Sequence, residues 1–391
     1  MRAGGRAVLD VALACYRATG GLPLSDAAKR RYELRADLAP YQPFERLRNC
    51  GQFLAYSPED PGGLTGVEIV MPPDGHPGFR GVETCGSKTG CPPCSARACV
   101  KNAEEIKRAV AWARATGLTP VMATFSFAHG QGDDLKKIRG GCSEAWRLFR
   151  QGAPFLRFKC RVGLVHSVRA LECTCGRHGF HPHIHAILFV RDVSALRAAL
   201  PWISDRWCAK VTSLLGPEHA PNVEHGVVLS ECDRDGVYLA KLGLEVGGAG
   251  AGKRAKNGNR SMWEVAEDLA EHRAPADVAI WRAYVTGMRG ARMLTWSVGL
   301  RAAVRVWAAS EAVKKPEDSP GMPLSLALVP SPAWYRVRAR RDIWRLLTAA
   351  VDGQIAEGAG QWKVNRQLLA WGIPGQYVGP VLPFGVQREV G

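Results

Sequence analysis

Hydrophobic and polar positions along the middle of the chain follow two periods, and the change from one to the other separates strands from helices. Short apolar runs, some alternating with polar residues, predict strands at Val121 to Ala128, Val162 to Cys173, Pro182 to Val190 and about 223 to 230. Apolar positions three or four apart predict helices at about 97 to 116, 134 to 150 and 193 to 210, and from near Asp235. From 121 onward the predicted order is β-α-β-β-α-β.

This order is the split β-α-β, or ferredoxin-like, arrangement, an α+β fold whose two middle strands can be neighbours at the centre of an antiparallel sheet. Beyond 261 the helical pattern continues, and the Pro-rich stretch from Lys315 to Pro332 predicts a linker. The sequence therefore predicts five segments: an N-terminal helical segment (1–48), a cysteine-rich segment (49–100), a catalytic domain (101–260), a helical extension (261–314), and a linker with a basic helical tail (315–391).

The charge balance favours a polyanionic partner. The 391 residues include 52 Lys and Arg against 36 Asp and Glu, a formal charge of +16, which favours nucleic acid, although a generally basic soluble protein has the same balance. Two basic clusters fit either a phosphate backbone or a solvated face: Lys253, Arg254, Lys256 and Arg260; and Arg336, Arg338, Arg340, Arg341 and Arg345.

Membrane and export signals are not found in the sequence. Asp10 interrupts the short apolar run after Arg2 and Arg6, and no segment is long and apolar enough to span a bilayer. With twelve cysteines and no export signal, we expect a cytoplasmic protein whose clustered cysteines bind metal or pack, rather than form disulfides.

Three histidines alternate along the third predicted strand. Side chains on a strand alternate between its faces, so His181, His183 and His185 share one face while Ile184 and Ala186 point into the core. Three imidazoles in a row offer lone pairs to a divalent cation. The alternative interpretation is a set of packed histidines without a ligand.

The preceding strand adds a carboxylate to this histidine face. Glu172 and His166 are six residues apart and share a face, whereas Arg169 lies on the other. A carboxylate beside two imidazoles suits Mg²⁺ or Mn²⁺ and leaves positions open for phosphate oxygens. We therefore expect His183, His185 and Glu172 to bind the metal, with His181 as the less favoured ligand.

A candidate nucleophile lies on the helix predicted from near Asp235. Tyr238 and Lys241 are three residues apart and share a helical face, so the ammonium group can stabilise charge on the phenolate or the phosphate during attack. A tyrosine and a lysine at this spacing also occur by chance on many helix surfaces. Their position after the histidine strand favours the catalytic interpretation.

These motifs together resemble the plasmid rolling-circle replication initiators of the HUH endonuclease superfamily. His181-Pro-His-Ile-His185 resembles the metal motif, Arg169-Ala-Leu-Glu-Cys-Thr174 the strand before it, and Tyr238-Leu-Ala-Lys241 the nucleophile motif. Thr124-Phe-Ser126 resembles the less specific first motif, and Gly290 to Arg301 is similar to a downstream segment of some members. The resemblance covers about 50 to 301.

The resemblance implies a nickase that acts on single-stranded and origin DNA. It implies attack by Tyr238, a 5′-phosphotyrosyl intermediate, a 3′-OH primer, a rejoining step by the same residues, and host helicase and polymerase as partners. Some relatives carry the tyrosine directly after the motif lysine, where this chain has Leu242. Some place a glutamate shortly before the tyrosine for termination, where this chain has Arg234, so Asp235 or Glu231 would substitute.

The cysteine-rich segment has the spacing of a structural zinc site. Cys91 and Cys94 form a Cys-x2-Cys pair six residues after Cys85, and Cys50 supplies a fourth thiolate, with Cys99 as the competing ligand. The segment also resembles the cysteine region of the same family. The alternative interpretation is a set of buried free thiols.

Parts of the sequence also resemble motifs of other functions. Gly247 to Lys253 superficially fits a phosphate-binding loop, but Arg254 stands where a Ser or Thr would hold Mg²⁺, so no ATPase or helicase activity is expected. A histidine-triad nucleotide hydrolase or transferase would use His183 as its nucleophile and leave Tyr238 without a role. A relaxase or transposase would use the same chemistry as the nickase. A zinc-binding DNA-binding protein, whose histidines merely bind a second metal, would have no catalytic activity.

Overall fold

The computed structural model describes residues 24–56, 66–72, 76–222, 224–231, 258–314 and 323–379. Six residues with predicted roles lie outside the described residues: Tyr238, Lys241, Asp235, Lys253, Arg254 and Lys256. By its internal contacts the chain forms two compact units, and the sequence of the second is inserted within the sequence of the first. The first comprises Met1–Ser87, Cys91–Pro93 and Glu317–Gly391, and the second Lys88–Gly90 and Cys94–Pro316.

The described residues contain strands and helices in a mixed α+β order. The strands are β1 Val67–Met71, β2 Gly78–Arg80, β3 Thr119–Phe125, β4 His166–Gly176, β5 Gly179–Val190, β6 Val227–Glu231, β7 Arg260–Ser261, β8 Leu294–Trp296 and β9 Leu324–Val329. The helices are α1 Asp26–Leu38, α2 Glu45–Arg48, α3 Pro92–Ala115, α4 Leu135–Phe149, α5 Gly152–Arg161, α6 Val193–Ala198, α7 Leu200–Leu215, α8 Met262–His272, α9 Pro275–Gly287, α10 Leu300–Lys314, α11 Ser331–Val337, α12 Trp344–Glu357 and α13 Gly360–Ala370.

The first unit contains a three-stranded antiparallel sheet in the order β2-β1-β9. Strand β9 lies within the stretch predicted to be a linker, and its pairing with β1 brings together segments that lie before and after the second unit in the sequence. Helices α11, α12 and α13 pack on this sheet through Trp334, Leu347 and Leu368, all of which are buried. The tail predicted after residue 315 is thus part of a folded core.

The second unit is built on an antiparallel sheet in the order β6-β3-β5-β4-β7, with β8 also paired to β4. Its long hairpin, β4 with β5, turns at Arg177 and His178, between the paired Gly176 and Gly179. The four strands predicted between 121 and 230 are present with shifted ends. The helix predicted at about 193 to 210 is two helices, because Pro201 begins a new one within the first turn of α7.

One face of this sheet packs on helices through an aromatic core. Phe125 of β3 lies with its ring centroid 5.1 Å from that of Trp146 on α4 and 5.3 Å from that of Trp207 on α7. The indole N–H of Trp207 donates to the carbonyl of Ser126 at 2.8 Å, so this fully buried ring leaves no polar atom unsatisfied. Ile184 and Ala186 are fully buried on this face, as the alternation in β5 predicts.

On the opposite face of the sheet, the side chains of β5 change from polar to apolar along the strand. At the carboxyl end of the strand, Phe189 packs against Trp112 of α3, with ring centroids 6.3 Å apart. At the beginning of the strand the same face presents His181, His183 and His185 instead of apolar side chains. The helix α3 therefore covers one end of this face, and polar groups gather at the other.

In the part of the chain that the structure describes, none of the helices combines the length and apolar character needed to cross a bilayer.

Candidate metal centre

Two neighbouring strands bring a carboxylate and two imidazoles together at the end of the sheet face that lies away from Trp112 of α3. In the β4–β5 register Glu172 is paired with His183, and His185 is two residues further along the same face. Glu172 Oε2 lies 3.2 Å from His183 Nε2 and 3.0 Å from His185 Nε2. The three ligand atoms all lie within 4.8 Å of one another, close enough to share one cation.

The other ring nitrogen of each histidine has its own partner. Nδ1 of His183 lies 3.1 Å from the carbonyl oxygen of His181, which can only accept, so this nitrogen carries the proton. Nδ1 of His185 lies 3.0 Å from the hydroxyl oxygen of Thr124 on β3. Such partners fix ring orientation and direct the Nε2 lone pairs toward a metal.

The donor set fits a divalent cation. With its proton on Nδ1, a neutral His183 presents a lone pair at Nε2, and that lone pair faces the carboxylate of Glu172. Two electron-rich atoms in this position need either an extra proton or a cation between them. Glu172, His183 and His185 are the described residues that would hold such an ion.

The surroundings keep Glu172 ionised. Burial acts to raise the pKa of this carboxyl group. When His183 and His185 carry the extra proton in place of a cation, their hydrogen bonds and charge outweigh burial and hold the pKa well below its ordinary value. The side chains are largely shielded from solvent, with exposed fractions of 18% for Glu172, 12% for His183 and 13% for His185. The cluster therefore offers a full negative charge in a poorly hydrated place.

His181 stands beside the cluster, not within it. Its Nδ1 lies 3.0 Å from Nδ1 of His129, and the two ring centroids are 4.4 Å apart. Burial, followed by the nearby His183 and His129 rings, lowers the pKa of His181 to about 3. His181 is consequently neutral near pH 7, and its closest ring partner is His129, which sequence analysis did not single out.

Thr124 contributes a contact that the sequence pattern could not give. In the sequence, Thr124 to Ser126 resembles only a weakly specific motif, which assigns no role to the hydroxyl groups. In the register of β3 and β5, Thr124 is directly opposite His185, so its hydroxyl meets the imidazole. In the sequence, Thr124 is recognisable only as a polar residue at the end of an apolar strand. Its partner His185 is 61 residues away, so no local pattern connects the two.

Three other residues named in the sequence analysis are His166, Arg260 and Glu231. His166 lies at the far end of β4, where its Nδ1 is 2.9 Å from Ser297 Oγ, and its ring contacts Trp112. Arg260 forms ion pairs with Asp268 at 2.8 Å and Asp277 at 2.7 Å. The backbone of Glu231 ends β6, and its side chain lies outside the described residues.

The four cysteines predicted as zinc ligands come together in the structure. The sulfur atoms of Cys50, Cys85, Cys91 and Cys94 all lie within 4.8 Å of one another, and those of Cys50 and Cys91 are 3.5 Å apart. Four thiolates around one Zn²⁺ at about 2.3 Å require sulfur separations of roughly 3.8 Å. The arrangement is thus compatible with a tetrahedral metal site, and Cys99 is buried outside this group of four.

Backbone amides also point at these sulfur atoms. The N–H of Cys85 donates to Cys50 Sγ at 3.3 Å, and the N–H of Ser87 donates to Cys85 Sγ at 3.4 Å. Hydrogen bonds of this kind stabilise thiolate charge at metal sites. Two of the four sulfurs therefore have donors suited to the deprotonated form.

Comparison with known proteins gave one informative similarity. No family model matches the chain, and no solved structure matches it. The chain is similar to a protein named "Protein rep" from Streptomyces lividans, with 28% identity over 307 residues. The similarity covers 61% of this chain and 67% of that relative. It is a distant relationship that extends over most of both proteins.

Proposed function

We propose that this protein initiates rolling-circle replication by nicking one DNA strand, with Tyr238 as the nucleophile and a divalent metal bound by Glu172, His183 and His185. The observation that carries the proposal is the convergence of these three ligands on adjacent strands, within 4.8 Å of one another. The basic composition and the distant similarity to a protein named Protein rep support DNA as the substrate.

The strand order supports the family assignment within this proposal. The sequential strands β3, β4, β5 and β6 lie in the spatial order β6-β3-β5-β4, and both crossovers are helical. The ferredoxin-like arrangement predicted from the sequence requires the two middle strands to be neighbours, as β4 and β5 are. This strand order supports the HUH fold as part of the proposal.

In the proposed nicking reaction, the metal ion, Tyr238 and Lys241 would have separate tasks. A bound Mg²⁺ or Mn²⁺ supplies Lewis-acid polarisation of the scissile phosphate. Tyr238 Oη forms a bond to phosphorus while the bond from phosphorus to the 3′ oxygen breaks; the phenol loses its proton and the 3′ oxygen gains one. Lys241 would stabilise the negative charge during this transfer, and the reverse exchange rejoins the strand.

The cysteine group fits a structural role in the same proposal. Zn²⁺ bound by Cys50, Cys85, Cys91 and Cys94 would connect segments distant in sequence, since Cys50 is 41 residues from Cys91. Closed sites with four thiolates contribute folding free energy and leave no open position for a substrate. We expect zinc here to be required for stability and not for strand cleavage.

Formation of a covalent adduct tests the nickase proposal. The full chain is incubated with Mn²⁺ and end-labelled single strands that tile the DNA flanking its coding region, and adducts are resolved on a denaturing gel. We expect an adduct to the 5′-phosphate fragment that is lost in Tyr238→Phe and retained in Tyr56→Phe, a control at a side chain that is 76% exposed. Absence of any adduct with the wild type would overturn the proposal, and an adduct that persists in Tyr238→Phe would move the nucleophile elsewhere.

A further inference from the structure

An open cavity lies beside the catalytic sheet, where strand β8 joins its edge. The cavity has a volume of about 500 Å³ and is lined by Arg292, Leu294, Thr295, Trp296, Ser297, Gly299, Arg301, Ala302 and Arg305. This size is in the range of small-molecule and nucleotide sites. No carboxylate is among these lining residues, so the cavity combines an indole ring with positive charge.

The register places Trp296, one of the residues lining this cavity, on the same side of the sheet as the metal ligands. Trp296 is paired with Val168 of β4, so their side chains share a face. Glu172 is four residues beyond Val168 on the same strand and also shares that face, about 13 Å away at 3.3 Å per residue. Trp296 and Glu172 therefore lie on the same face of the sheet, with the covered Val168 between them.

The walls of the cavity are held in place by the sheet. The Arg292 carbonyl accepts a hydrogen bond from the buried Arg169 at 3.3 Å. On the other side of Trp296, Ser297 Oγ lies 2.9 Å from His166 Nδ1 and accepts from the Ser167 amide at 3.1 Å. The segments on either side of this short strand are therefore anchored to β4 before any ligand binds.

The arginines at this cavity carry charge that the described residues do not neutralise fully. Arg301 stacks over Trp296 at 4.9 Å and forms an ion pair with Glu105 at 2.7 Å. Arg292 and Arg305 are both exposed, and no ion pair joins either of them to a carboxylate in the described ranges. Two guanidinium groups without an ion pair in the described ranges, beside an aromatic ring, match the alternating phosphates and bases of a nucleic acid.

We propose that this cavity is a binding subsite for single-stranded DNA, in which a base stacks on Trp296 while Arg292 and Arg305 bind the neighbouring phosphates. The inference rests on the proposed nickase function and adds a site that positions the substrate strand. A single strand is favoured over a duplex, because a base can stack on the partly exposed Trp296 ring only after it has left its own stack. Trp296 and the arginines are positioning residues, not catalytic ones.

The test measures binding apart from cleavage. Affinity of the full chain for fluorescent oligo-dT of about 20 nucleotides, and for an abasic strand of the same length, is measured by anisotropy without added Mn²⁺ over a range of salt. The charge variant is Arg292→Gln with Arg305→Gln. Its matched control is Arg157→Gln with Arg161→Gln, two exposed arginines on α5 that lose the same charge.

The expected result has two parts. The charge variant should bind both strands roughly tenfold more weakly, with the slope of log affinity against log salt reduced by about 1.4 for two lost phosphate contacts. Trp296→Leu should lose about tenfold or more for oligo-dT but little for the abasic strand, and Trp296→Phe should retain most of the affinity. The control variant should bind like the wild type.

Three outcomes would overturn the subsite. In the first, the charge variant binds DNA as tightly as its control. In the second, Trp296→Leu lowers the affinity for oligo-dT and for the abasic strand equally. In the third, Trp296→Phe binds as weakly as Trp296→Leu although its circular dichroism spectrum is intact. The nickase proposal fails separately. If the wild type binds oligo-dT through this cavity but forms no adduct, the binding subsite stands and the cleavage reaction is refuted.

Discussion

The hydroxyl of Thr124 lies 3.0 Å from Nδ1 of His185 and is the described partner that fixes that ring. Thr124→Val keeps the shape of the side chain and the preference for a strand but removes the hydrogen bond. Loss of an outer partner of a metal-binding histidine typically reduces metal affinity or activity by 10- to 100-fold, which is about 1.4 to 2.8 kcal/mol. We expect a loss in this range for Mn²⁺.

The assay for this prediction is a direct titration of Mn²⁺, followed by calorimetry or by the electron paramagnetic resonance of the free ion. Thr124→Ser, which keeps the hydroxyl, should bind nearly as the wild type does. Thr119→Val provides a control on the same strand, at an exposed position away from the cluster. If Thr124→Val binds Mn²⁺ as tightly as the wild type, the hydroxyl does not orient His185 and the reasoning is refuted.

Three further predictions concern the metal clusters and the packing of helices. Glu172→Gln should weaken Mn²⁺ binding at least about tenfold with an unchanged circular dichroism spectrum, because the site loses its anionic ligand; unchanged affinity would exclude this carboxylate. Cys91→Ser should release zinc and lower the thermal unfolding temperature, whereas the exposed Cys160→Ser should do neither. Gly141→Ala places a methyl group 2.3 Å from Leu215 Cδ2 and should reduce the free energy of unfolding in urea by about 1 to 3 kcal/mol. A stabilised Gly141→Ala protein would show that Leu215 moves aside freely.

Much of the candidate site could be predicted because its signals are local in the sequence. The two-residue period of β5 alone places the side chains of His183 and His185 on one face. Glu172 joins them because β4 and β5 form one hairpin with a short turn, so their register follows from nearby residues. The position of Thr124 opposite His185 depends on pairing between distant strands, which no local pattern specifies.

Long-range pairing also explains what sequence analysis missed in the fold. Strand β9 alternates apolar and small residues, as a strand should, but Pro323 and Pro330 flank it and favoured the linker interpretation. Strand β8 has only three residues, too few for a periodic signal, and it is recognisable by its pairing with β4. The helix α5 was overlooked because Gly152 and Pro154 begin it, and both residues are more often found in turns.

The pairing of β1 with β9 has a consequence for the order in which the protein is made. About 250 residues separate these strands, and the whole second unit lies between them. At a translation rate of about 5 to 20 residues per second, β1 leaves the ribosome some 13 to 50 seconds before its partner exists. During synthesis the inserted unit can complete its own sheet, whereas the first sheet must wait, with Val67 and Ile69 uncovered, until the last fifth of the chain appears.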